Sequence, residues 1–137
     1  MADQPTVVHS SDRKSLHTIL VVEDDEAICD FLQQAISSET PHAVLLANDA
    51  AQALQAVKTI IPSLLILDYH LPDTNGLELY DRLHAIKNFE AVPAMMISST
   101  RLNSKELHER QITFLRKPFE LTKFLQIIDQ LLPPPDG

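Results

Sequence analysis

At 137 residues the chain fits one domain able to bury a core without covalent staples. Nineteen acidic against eleven basic residues give a formal charge of −8 with no Lys/Arg run, which argues against direct nucleic-acid binding. The single cysteine, Cys29, excludes an intrachain disulfide, and no apolar run has the length of a membrane span or a signal peptide, so a soluble cytoplasmic protein with no membrane partner is expected.

Residues 1–17 are polar and aperiodic, and a flexible extension is expected there. A domain is expected over 18–132, opening with the apolar strand run TILVV at 18–22. Ile28, Phe31, Leu32, Ala35 and Ile36 then share one face of a predicted helix. A second strand, AVLLA at 43–47, leads to a second helix with Ala50, Ala53, Leu54, Val57, Ile60 and Ile61 on one face. Asp49 and Gln52 have the spacing of a capping box at its start. The third strand, LLIL at 64–67, is an unbroken apolar run, as in strands covered on both faces. Leu77, Tyr80 and Leu83 predict a helix begun near Gly76, and AMMI at 94–97 a fourth strand. Next come a short helix over 104–110, with Asn103 as N-cap and Glu106 set to complete a capping box, and a fifth strand at 112–115. The face of Leu121, Phe124, Leu125, Ile128 and Leu132 predicts a last helix, ended by the prolines of 133–137, a tail or the start of a linker. This alternation implies an α/β fold, a doubly wound five-stranded parallel sheet with helices on both faces.

In such a sheet all strands end at one edge, where open α/β folds bind ligands. Glu23-Asp24-Asp25-Glu26 follow the first strand, Asp68 the third, Ser98-Ser99 the fourth and Lys117-Pro118 the fifth. Singly, each has a local explanation as a helix-start acid, a turn residue or a solvated charge. Together they place carboxylates, a hydroxyl and an ammonium on one rim, a set suited to a hard cation and an oxyanion. Carboxylates about 4 Å apart repel by roughly 4 kcal/mol per pair at an effective dielectric of 20, so magnesium (or manganese) is the expected occupant. Asp68 is then placed to become an aspartyl phosphate.

The motifs ILVVEDDEAI, LLILDYHLPDTNGLEL, PAMMISS and FLRKPF, in this order, resemble the receiver domain of two-component response regulators from about Thr18 to Leu132. The resemblance implies the flavodoxin-like, CheY-like fold with strand order 2-1-3-4-5. It also implies that Asp68 is the phospho-acceptor, that Asp24 ligates magnesium directly, and that Glu23 does so largely through water. The backbone carbonyl of His70 would be a further ligand. Lys117 matches the lysine paired with the phosphoryl group, before a cis-proline at Pro118, while Ser98 matches the switch hydroxyl and Phe114 the switch aromatic. The His70 side chain would face solvent near the phosphoryl group and either tune hydrolysis or have no role. In two places the chain departs from the family: Arg110-Gln111-Ile112-Thr113 stands where a Gly-Ala pair is usual, and the interval from Ser98 to Lys117 is short. Both bear on the fourth helix.

The implied partners are a sensor histidine kinase or histidine phosphotransfer protein and an unidentified downstream effector, with a homodimer left open. The implied activity is a signalling switch with slow self-dephosphorylation, not a turnover enzyme. Two alternatives are a pseudo-receiver that is never phosphorylated and a phosphatase with Asp68 as nucleophile. The phosphatase needs a second acid two residues on, where this chain has His70.

Overall fold

Six strands form one sheet in the computed structural model, which describes residues 7–8 and 17–133. In chain order the elements are β1 (Val7–Val8), β2 (Thr18–Val22), α1 (Glu26–Glu39), β3 (Ala43–Ala47), α2 (Ala50–Ala56) and β4 (Leu64–Asp68). They continue with α3 (Gly76–His84), β5 (Ala94–Ser98), α4 (Ser104–Glu109), β6 (Thr113–Arg116) and α5 (Leu121–Leu131). The sheet order is β1-β3-β2-β4-β5-β6, and the five strands β3-β2-β4-β5-β6 are parallel, the order 2-1-3-4-5 expected from the sequence. Within the segment expected to be a flexible extension, Val7–Val8 pair antiparallel with Val44 and Leu45 of β3; the rest of 1–16 lies outside the described residues, as does 134–137.

Strand side chains alternate between faces, so each strand feeds two cores. Leu20, Val22, Leu65, Leu67 and Met96 pack on one side with Ala53 of α2, Leu79 and Leu83 of α3 and Leu107 of α4. Ile19, Val21, Leu64, Ile66, Met95 and Ile97 pack on the other with Leu32 and Ile36 of α1 and Phe124 and Ile128 of α5. Every residue of β4 and β5 is buried. At about 1.5–3 kcal/mol per fully buried large aliphatic side chain, these strands carry much of the hydrophobic stabilisation.

Differences from the sequence pattern have local causes. Helix α2 stops at Ala56 rather than running on to Ile61, which is 51% exposed and whose helical backbone Pro62 disfavours. Gln52 accepts the amide of Asn48 rather than that of Asp49, so the capping box closes one residue early. Phe31 is 43% exposed and faces the Phe119 ring, with centroids 6.2 Å apart, instead of joining the core.

The start of α2 is also capped from a distance. Asp73, in the loop after β4, accepts the amides of Ala50 and Ala51 at 3.1 Å each, while Asp49 accepts that of Gln52 at 2.8 Å. Three first-turn amides are thereby satisfied, and the 69–75 loop is tied to α2. Asp73→Ala is expected to cost about 1 kcal/mol in urea denaturation, the value of a helix cap, and an unchanged midpoint would show that the tie contributes nothing.

Candidate functional site

The carboxyl ends of β2, β4, β5 and β6 converge on one rim. The LLIL run carries Asp68 out of the core as the last residue of β4, where it is 4% exposed. Glu23 follows β2 and is 1% exposed, held by a hydrogen bond from its own main chain to β3 (Glu23 N to Ala47 O, 3.0 Å). Asp24, beside it, is exposed. Oxygens from Glu23, Asp24 and Asp68 all lie within 4.8 Å of one another. Asp25, next in the acidic run, turns away as the N-cap of α1, accepting the amide of Ile28, and its own amide donates to Glu23 Oε2 at 3.0 Å.

Lys117 reaches the cluster from the end of β6. Its Nζ lies 3.2 Å from Glu23 Oε1 and 3.5 Å from Asp68 Oδ2, and its amide is fixed to Ser98 O at 2.9 Å. The Lys117–Pro118 bond is cis. Three carboxylates thus face one ammonium. Burial pushes the Glu23 carboxyl up to about 7, with a further rise from Asp68, against the lowering effects of the Asp25 amide and Lys117. A cluster that draws a proton onto Glu23 near neutrality favours positive charge, and its oxygen-only donors fit a hard divalent cation such as magnesium.

Ser98 is fully buried at the end of β5, with its hydroxyl bonded to Thr100. His70 donates its amide to Asp68 Oδ1 at 3.2 Å, while its exposed ring stands edge-on to Tyr69 and places Nε2 3.0 Å from Thr100 Oγ1. Phe114 is half-buried in β6 beside an open groove of about 510 Å³ shared with Leu102, Leu107 and Ile112. The structure therefore gathers Glu23, Asp24, Asp68 and Lys117 directly and connects His70 and Ser98 through Thr100. Neither Thr100 nor Asp73 stands out in the sequence, because both act through partners distant along the chain. A polar residue two positions after the end of β5 is the only local signal for Thr100, and Asp73, five positions past the end of β4, carries none.

A parallel α/β domain with an acidic rim opposed by a lysine offers one edge suited to a hard cation and an oxyanion. The chain belongs to the response regulator receiver domain family, whose model matches residues 19–129. It is 31% identical over 119 residues to the DNA-binding transcriptional regulator NtrC of Azospirillum brasilense, covering 86% of this chain and 24% of that protein. Identity to the response regulator MprA of Mycobacterium leprae is 32% over 117 residues, covering 83% of this chain and 50% of that one. The chain thus spans half or less of these two relatives. Among solved structures, a CheY-like response regulator receiver domain protein from Methanospirillum hungatei superposes with a TM-score of 0.76 at 27% identity, covering 85% of this chain and 93% of that one. No helix among the described residues is long and apolar enough to cross a membrane.

Proposed function

We propose that this domain takes a phosphoryl group onto Asp68 from a sensor histidine kinase or histidine phosphotransfer protein and presents an altered surface to a downstream effector. The observation that carries this reading is the position of Lys117, within 3.5 Å of both Asp68 and Glu23 while Asp24 completes the acidic group. An Asp68 carboxylate oxygen attacks phosphorus in line, the new O–P bond forms as the donor's N–P bond breaks, and the imidazole leaves with the electron pair. Lys117 Nζ holds the phosphoryl oxygens, and the His70 amide orients the acceptor carboxylate through Oδ1. Glu23, Asp24, Asp68 and the His70 carbonyl would hold magnesium, which neutralises charge on the transferring group. Beside Lys117, an apolar groove of about 490 Å³ lined by Ile28, Phe31, Pro118 and Phe119 offers the donor protein a docking face. Ser98 and Phe114 then report the phosphoryl group to the β5–α4–β6 surface. Slow self-hydrolysis resets the switch, which does not turn over a substrate as an enzyme does.

Beryllofluoride with magnesium mimics the acyl phosphate and is expected to bind the wild-type protein but not Asp68→Asn, as read by fluorine NMR. Absence of binding by both proteins would favour an interaction module that is never phosphorylated, and equal binding by both would remove Asp68 from its role.

A further inference from the structure

The Ser98 hydroxyl has two bonds among the described residues, and both run to Thr100. The Thr100 amide donates to Ser98 Oγ at 3.0 Å, and the two hydroxyl oxygens are 3.0 Å apart. Thr100 Oγ1 is in turn 3.0 Å from His70 Nε2, and the His70 amide donates to Asp68 Oδ1. A chain of hydrogen bonds therefore runs from the phospho-acceptor strand across to the end of β5. We propose that Thr100 is a positioning residue that latches Ser98 in its unphosphorylated place, with His70 bracing the latch. This inference rests on the reading of Asp68 as phospho-acceptor and Ser98 as switch hydroxyl.

A hydroxyl carries one proton and two lone pairs. Where Ser98 is the donor, its single proton serves either Thr100 Oγ1 or a phosphoryl oxygen on Asp68 but not both, so reaching the phosphoryl group breaks the bond. The bond is made only in the unswitched state, so it lowers the population of the switched state and, with it, the apparent affinity for a phosphoryl mimic. Ser98 is fully buried, so its hydroxyl cannot replace the lost bond with bulk water. Thr100 is itself exposed and able to turn to solvent once released, which makes the latch reversible.

T100V keeps the side-chain shape and removes the hydroxyl. With saturating magnesium, it is expected to bind beryllofluoride about threefold to tenfold more tightly than wild type, the range for one net hydrogen bond. T100S keeps the hydroxyl and is expected to restore wild-type affinity, which also controls for folding. In an S98A background there is no hydroxyl to latch, and T100V is expected to change nothing. Wild-type affinity in T100V, weaker binding, or an equal gain in the S98A background would each overturn the latch while leaving Asp68 as acceptor. Failure of the wild-type protein to bind beryllofluoride would overturn the acceptor assignment, and the latch with it.

Discussion

Thermal stability is expected to rise with magnesium, by about 2.7 kcal/mol when the free ion is 100 times its dissociation constant, or roughly 10 °C in melting temperature. The size follows from mass action at that ratio, and binding is expected because a cation would relieve the mutual repulsion of three carboxylates, two of them buried. Glu23 adds a pH signature. Burial raises its folded-state pKa from 4.5 to about 7, so without metal the folded protein holds a proton that the unfolded chain has released. That contribution is full below about 4.5 and is lost as pH rises through about 7. In chelator, stability is therefore expected to fall between these limits, and saturating magnesium should flatten the trend, because it holds Glu23 in the ionised form in the folded state too. Magnesium affinity in turn is expected to weaken as pH drops below about 7, by up to about tenfold per unit for one displaced proton. Calorimetry with and without metal across this range checks both signs. A magnesium shift that persists unchanged in Asp24→Ala would remove Asp24 from the metal site.

Gly76→Ala is expected to destabilise the protein by about 1–3 kcal/mol, although alanine is the better helix former. A Cβ at position 76 would meet Met96 Sδ, the Asp68 carbonyl oxygen at 2.8 Å and the Tyr69 Cα at 3.0 Å. Met96 is fully buried and has little room to move, and the other two contacts are main chain. The gain from helix propensity, about 1 kcal/mol even in a helix interior, is smaller at this first helical position. Relief requires α3 and the end of β4 to move apart against the Gly76 N–Tyr69 O bond of 2.8 Å, which displaces the main chain at Asp68, so weaker beryllofluoride binding should accompany the lost stability. Wild-type midpoint and affinity in denaturant and binding titrations would show that α3 does not set the position of Asp68.

The strands were legible because burial on both faces makes them unbroken apolar runs; β4 and β5 read directly as LLIL and AMMI. The acids and Lys117 were legible because parallel strands end together, which turns scattered residues into one site. Val7–Val8 were not, since two residues show no period and owe their strand state to the free edge of β3. The links through Thr100 and Asp73 were not legible either, because each joins residues more than 20 positions apart through side-chain geometry alone. Phe31 carries the helical period yet stays exposed, because periodicity marks an apolar face without saying what covers it.

Helix α4 has six residues, too few to persist unaided, and its neighbours supply the difference. Its end closes without glycine: Gln111 takes φ 57, Gln111 N donates to His108 O, and Ile112 N donates to Leu107 O, with Leu107 and Ile112 both buried. Arg110 grips Asp81 of α3 through two bonds of 2.8 and 2.9 Å, and the Tyr80 hydroxyl donates to the Arg110 carbonyl at 2.8 Å. The end of α4 is thereby tied to the middle of α3. In native-state hydrogen exchange they are expected to behave as one cooperative unit, with amides in α4 sharing the opening free energy of that α3 segment rather than fraying as an isolated two-turn helix would.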